Sequence, residues 1–296
     1  MNKVDFKAWC AASKPVLVPP HYRGKPLVMG VLNITPDSFS DGGLFLKPEA
    51  ALSQAEKMIH DGADILDIGA ESTRPGAKAL DVAQELQRLM PVLELILSRH
   101  DIAISIDTYK PEVMQAAILA GAACINDVFA LQKPGALDMA ATLDVPVCLM
   151  HMQGTPETMQ VGLSDADTEN IDDVILQVHA FFEARVAACL DAGLSRTQLI
   201  LDPGFGFGKT VKQNLRLTKK IAMLTDNNMP LLLGVSRKST IGAVLQQTVG
   251  NRLSGGLALS VFAALNGVAM LRTHDVAETR QALEMIDVML QDSDLD

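Results

Sequence analysis

Leu201 to Thr210, LDPGFGFGKT, carries the residue types of a phosphate-binding loop: spaced glycines after an apolar run, closing on Gly-Lys-Thr. A Walker A loop needs a glycine five residues before its Gly-Lys, so that bare backbone N–H groups can wrap phosphate oxygens. That position is Pro203. Proline has no N–H to donate and fixes φ near about −65°, so the nucleotide-loop reading fails. The remaining chemistry of the stretch is the carboxylate of Asp202 and a backbone that glycines allow to pass close to a ligand.

Other residues of similar promise end short apolar runs. Such runs recur at 26–34, 63–71, 102–108, 123–128, 145–151, 198–204, 230–236 and 268–274. Their near-continuous Val, Ile and Leu content is the pattern of parallel strands covered on both faces. Segments of helical character lie between and after them, at 48–61, 82–98, 111–120, 134–143, 168–192, 211–226, 251–266 and 276–291. Several open on proline, which suits a first turn, and several close on glycine just before the next run, as in HDGADIL, LAGAACI, DAGLSRT and LNGVAML. Eight strands alternating with eight helices predict an α/β fold closed into a (β/α)₈ TIM barrel, with an open doubly wound sheet as the competitor. The chain reads as one barrel domain over 26–292 behind an N-terminal extension, 1–25, to which the sequence assigns no role.

Barrel enzymes collect their chemistry at the C-terminal ends of the strands. The runs end on Asn33, Glu71, Asp107 and Thr108, Asn126 and Asp127, His151, Asp202, Ser236 to Lys238, and Arg272 with His274. Asp107, Asn126 and Asp202 can hydrogen-bond a flat, nitrogen-rich ring. Lys238, Arg272 and His274 end the seventh and eighth runs, where barrels often hold phosphate, and read as the cations of the site. Two polar loops, NITPDSFSDGG from Asn33 and ESTRPGA from Glu71, are placed to act as lids over the mouth.

Composition narrows the function. At 48% hydrophobic and 20% charged, the chain has the core of a globular protein, and with 4% aromatic residues that core is aliphatic. A net charge of −10 gives a field of the wrong sign for nucleic acid or an anionic membrane, so neither is an expected partner. Cys10, Cys124, Cys148 and Cys189 show no CxxC spacing and read as buried thiols of a cytoplasmic protein. No apolar run approaches the length of a membrane span.

MGVLNITPDSFSDGG and DILDIGAESTRPGA closely resemble the two signature segments of the dihydropteroate synthase family. SIDTYKPEV, CINDV, LMHMQGTP, LDPGFGFGK, GVSRKSTIG and RTHDV are similar to its later motifs, in the same order, from Leu27 to about Ala282. The resemblance implies a transferase of folate biosynthesis. It would join 4-aminobenzoate to 6-hydroxymethyl-7,8-dihydropterin diphosphate, giving 7,8-dihydropteroate and pyrophosphate by an SN1-like substitution. It implies a pterin held by Asp107, Asn126, Asp202 and Lys238 with Arg272 stacked on its face, and a diphosphate met by Asn33, Thr73, Arg74, Arg272 and His274. Mg²⁺ would bind at Asn33. Phe39, Thr73, Phe207 and Ser239 would line the aminobenzoate pocket, and Asp41, Asp107, Lys238 and Arg74 would act in catalysis. The loop reading GFGFGK lacks an inserted aromatic-glycine pair, which implies a sulfonamide-sensitive enzyme, and the family implies a homodimer.

Two other readings remain. A pterin-binding methyltransfer barrel using methyltetrahydrofolate would share the carboxylates and amides but has no use for Arg74, Lys238 and the Arg272/His274 pair as a diphosphate site. A catalytically silent pterin-binding protein would have lost some of these positions, and here they are intact.

Overall fold

The structure is a computed structural model that describes residues 1–12, 22–35, 48–72, 79–155, 159, 173–225 and 229–291. Phe39, Asp41, Thr73 and Arg74 lie outside the described residues.

Eight parallel strands follow one another in the chain: β1 (Leu27–Asn33), β2 (Ile65–Gly69), β3 (Ala103–Asp107), β4 (Cys124–Asp127), β5 (Val147–Met150), β6 (Leu199–Asp202), β7 (Leu232–Leu233) and β8 (Met270–Thr273). They are ordered β6-β5-β4-β3-β2-β1-β8-β7, and a parallel bridge from Leu201 to Leu231 joins the two edges. The barrel is closed, and the open-sheet alternative is excluded. Along it run α2 (Pro48–His60), α3 (Val82–Arg99), α4 (Pro111–Leu119), α5 (Ala136–Thr142), α6 (Asp173–Asp191), α7 (Val211–Lys219), α8 (Ser239–Leu245), α9 (Leu253–Leu265) and α10 (Val276–Gln291).

Two buried clusters divide the apolar residues as a barrel requires. Outward-facing strand residues such as Leu66, Ile104, Ile125, Leu149, Leu233 and Leu271 pack under the helices. Inward-facing Met29, Ile65, Ala103, Cys124, Cys148, Ile200, Leu232 and Met270 fill the lower interior. Strand residues alternate between faces, so every buried strand feeds both clusters and needs apolar side chains throughout. The helices end as the sequence indicates: Gly62, Gly121, Gly193 and Gly267 take positive φ just after α2, α4, α6 and α9.

Two helices go beyond the sequence reading. A short α8 follows β7, because Lys238 and Ser239 turn the chain directly into a helix before the expected α9. At the start of the chain, α1 (Lys3–Ala11) opens on Asn2, whose side chain accepts from the Asp5 N–H at 2.9 Å. Its Phe6 is fully buried, and with Cys10 it joins the inner cluster at the barrel floor, while Trp9 stacks on Phe6 at 6.0 Å. The Met1 carbonyl accepts from Ala103 N at 2.7 Å at the start of β3. This helix is the floor of the barrel.

Candidate active site

Counting upward in twos from the apolar floor gives the next inward layer: Val31, Asp67, Ser105, Asn126, Met150, Asp202, Gly234 and Arg272. Two residues higher stand Asn33, Gly69, Asp107, Val128, Ser236 and His274. Most of these line one cavity at the C-terminal ends of the strands, joined by Phe205, Phe207 and Lys238 from the following loops. The interior therefore changes from apolar to polar within one layer.

Arg272 lies at the centre of that change. Its Nε donates to Asp67 Oδ2 at 2.6 Å and its Nη2 to Asp107 Oδ2 at 3.1 Å. Burial works against the guanidinium charge, but Asp67 and Asp107 outweigh it and raise its pKa. Asp67 is wholly buried, and the same oxygen accepts from Asn126 Nδ2 at 3.1 Å. A carboxylate can only accept here, so the Asn126 amide turns its nitrogen to Asp67 and leaves its carbonyl oxygen for the cavity. Gly69 separates Asn33 from Asp107: a Cβ there would lie 3.5 Å from Asp107 Cβ and 3.7 Å from Asn33 Oδ1. The missing side chain lets both polar groups crowd one corner of the mouth.

Across the cavity, Asp202 accepts from the Gly204 N–H at 2.7 Å. Burial raises its pKa, opposed by that hydrogen bond, Lys238 and Arg272. Burial likewise pushes Asp107 up to about 7 against the pull of Arg272. The Lys238 ammonium stands 3.9 Å from the centre of the Phe207 ring, a cation–π contact. Burial and Arg272 bring its pKa down to about 8, with Asp202 and Asp107 opposing. Two cations, Lys238 and Arg272, thus share this buried space with the carboxylates Asp107 and Asp202.

The loop after β6 passes close to the backbone after β5. Gly204 and Gly208 have φ of +66° and +64°, and Cβ atoms on them would lie 1.8 Å from His151 O and 2.2 Å from Gln153 O. Only glycine permits that approach. Thr210, the last residue of the apparent nucleotide motif, caps α7 by accepting from Gln213 N at 3.2 Å.

The structure brings together Asn33, Asp107, Asn126, Asp202, Phe207, Lys238, Arg272 and His274 at one mouth. It corrects the reading of His274 as a cation. Burial, with Arg272 and Arg237 nearby, lowers its pKa to about 3, so the imidazole is neutral and its Nδ1 lies 3.1 Å from Ser236 Oγ. Ser239 starts α8 with its side chain exposed and outside the cavity lining. Four other strand-end residues also turn away. Glu71 accepts from Lys110 at 2.6 Å, Asp127 accepts the Phe129 and Leu131 N–H groups, His151 meets the Phe181 ring edge to face, and Arg237 pairs with Asp275. Asp67 is the residue that strand-end reasoning passes over, since it stands inside its strand. Its signal was an acid within the apolar run ADILDIGAE, where a carboxylate can survive only with buried partners.

No three His, Cys, Asp or Glu side chains converge on a metal position among the described residues. Asn33 instead offers a single amide oxygen at the mouth. That fits Mg²⁺, which takes few protein oxygens and completes its octahedron with water and substrate phosphate.

Residues 29–274 match the family model described as pterin binding enzyme. Dihydropteroate synthase of Escherichia coli K12 is 48% identical over 265 residues, which cover 90% of this chain and 92% of that protein. That of Haemophilus influenzae is 45% identical over 88% of this chain and 92% of its own length. Among solved structures, Xanthomonas albilineans dihydropteroate synthase with 4-aminobenzoic acid superposes with a TM-score of 0.82 at 45% identity, covering 90% of this chain and 93% of that one. The Yersinia pestis enzyme in a sulfonamide drug complex gives 0.83 at 43% identity, with 90% and 94% covered. A closed eight-stranded barrel, a polar layer built around Arg272, and near-complete alignment with these enzymes agree: the chain belongs to the dihydropteroate synthase family, a group of pterin-binding transferases.

Proposed function

We propose that this chain joins 4-aminobenzoate to 6-hydroxymethyl-7,8-dihydropterin diphosphate, releasing pyrophosphate, and that the cavity residues divide the work by charge. The observation that carries this reading is the cavity lining itself, which brings the acceptors Asp107, Asn126 and Asp202 together with Lys238 and Arg272. The acceptors suit the amino and ring N–H groups of a pterin. Two neighbouring cations suit its ring oxygen and the diphosphate. Relatives bind the same chemistry: one Xanthomonas albilineans structure holds 4-aminobenzoic acid and another 7,8-dihydropteroate.

In this reading the guanidinium of Arg272, held flat by two carboxylates, stacks on the pterin face while its charge favours departure of the diphosphate. His274 is neutral before the substrate binds, and the diphosphate raises its pKa. Mg²⁺ at Asn33 would neutralise part of the charge gathering on the leaving group. Asp107, beside the reacting face, stabilises positive charge at the pterin methylene, with Asp41 as a second anionic partner. The arylamine attacks as a neutral nucleophile, so no strong base is needed. Thr73 and Arg74 serve the diphosphate side, and Phe39, Thr73, Phe207 and Ser239 the aminobenzoate side. The reduced, buried state of all four cysteines suits a cytoplasmic enzyme.

Purified protein given the pterin diphosphate, labelled 4-aminobenzoate and Mg²⁺ is expected to form dihydropteroate, with a sulfonamide competing against aminobenzoate. Absence of product overturns the reading, and non-competitive inhibition removes the sulfonamide part.

Loss of the Lys238 proton should weaken pterin diphosphate binding as pH rises through about 8, the pKa of that ammonium. Its pKa is lowered, so the charge is present below that pH and lost above it, where the diphosphate is already fully ionised. Calorimetric titration from pH 7 to 9.5 reads the limb. Lys238→Ala should bind at least about tenfold more weakly, the scale of one charged hydrogen bond, with no such limb. A wild-type profile flat to pH 9.5 assigns Lys238 no part in binding.

Asp67→Asn should lower pterin affinity at least about tenfold and stability by about 3 kcal/mol, because it leaves Arg272 short of a buried partner. Isothermal titration and urea unfolding measure the two. Unaltered affinity would show that the anchor does not shape the cavity.

Apolar side chains stay exposed about the end of the barrel wall: Val244 at 51% and Leu245 at 44% on α8, Val249 at 59% in the following turn, and Phe262 at 40% on α9. We infer that they belong to a homodimer contact. Sedimentation should give twice the 31.7 kDa chain mass, and a monomer at micromolar concentration contradicts it.

A further inference from the structure

Lys209 ends the glycine loop after β6, in the position that made the segment look like a nucleotide site, yet its side chain is only 3% exposed. Its Nζ donates to Gly204 O at 2.8 Å, Phe207 O at 3.2 Å and His151 O at 3.4 Å. An ammonium has three N–H groups and no acceptor, so three carbonyls use all of them. Two belong to the loop after β6 and the third to the end of β5. One buried cation thus ties two neighbouring loops where their backbones already touch. Burial pulls its pKa down to about 7, with Asp202 opposing and Lys238 adding to the fall.

Asn214, on α7 and 1% exposed, holds the same loop from the other side. Its Oδ1 accepts from Gly206 N at 2.7 Å, and its Nδ2 donates to Lys209 O at 3.1 Å, Thr210 O at 2.9 Å and Thr240 Oγ1 at 3.1 Å. Thr240 lies on α8, two residues beyond Lys238. Asn214 therefore couples the loop that carries Phe207 to the segment that carries Lys238. A Cβ on Gly206 would come 3.2 Å from Lys238 Cδ, so the lysine stem runs directly over this loop.

We propose that Lys209 and Asn214 are positioning residues for the second substrate: together they set the place of the Phe207 ring against Lys238, and so the wall on which the arylamine packs. This rests on the aminobenzoate reading given above. Neither side chain lines the cavity, so each acts through Phe207.

The test is steady-state kinetics with each substrate varied in turn, on Lys209→Met and Asn214→Ser, with pterin diphosphate affinity measured by calorimetry. The expected result is a split. KM for 4-aminobenzoate rises at least about tenfold, the scale of losing one or two hydrogen bonds that shape the loop. At saturating aminobenzoate kcat stays within about threefold, and so does the dissociation constant of the pterin diphosphate. The double variant should lose less than the product of the single losses, because both residues hold one loop. An unchanged KM for aminobenzoate overturns the proposal. So does an equal loss for both substrates, which would mean general loosening of the barrel. Should Lys209→Met not fold, Asn214→Ser decides by the same split. An inactive parent enzyme would refute the reaction, whereas an active parent whose variants keep its aminobenzoate KM would refute the positioning role.

Discussion

An arginine inside a barrel is tolerable only if carboxylates meet it there. Arg272 stands one layer above Met270, in a space that in a purely structural barrel would hold another aliphatic side chain. Asp67 and Asp107 supply the pairing at 2.6 and 3.1 Å, and both are buried. Buried ion pairs of this kind add little net stability over a well-packed apolar core, because desolvation consumes most of the attraction. Their cost makes sense as placement. The pair fixes a planar cation in the cavity wall, and Asp67 also sets which end of the Asn126 amide faces the cavity. Asn126 and Asp107, as well as Arg272, thus depend on a residue that does not line the cavity.

Two basic side chains at the mouth, Lys238 and His274, are weaker bases than they would be in water. Lys238 titrates near 8 and His274 near 3, because burial and neighbouring cations disfavour further positive charge. A polyanion bound there would offset the repulsion from the neighbouring cations. In the proposed complex such an anion would favour proton uptake by Lys238 and His274.

Much of this architecture was legible in the chain. Continuous aliphatic runs and glycine helix ends specify the alternation of strands and helices, and polar residues at Asn33, Asp107, Asn126, Asp202, Lys238 and Arg272 mark the mouth. Spacing could not reveal the partners. Glu71 and Lys110 meet through a fold contact 39 residues apart, which withdraws a strand-end acid from the cavity. The neutrality of His274 arises first from its burial and then from Arg272 and Arg237, none of which is a sequence-level signal of deprotonation. Asp67 was visible as a misplaced acid, but its role needed Arg272, 205 residues away. The first helix has a short, weakly patterned sequence, and its value lies in one aromatic ring inserted where a barrel would otherwise be open.

That helix has a consequence for access to the interior. With Phe6 and Cys10 packed into the floor cluster, the described cavity lies at the end where Phe207 and Lys238 stand. A ligand bound against Asp67's layer lies behind one bound against Phe207. In the proposed reaction the deeper ligand would therefore sit farther from the mouth than the outer one. A helix at the opposite end of the molecule thus closes the side from which that cavity is not reached.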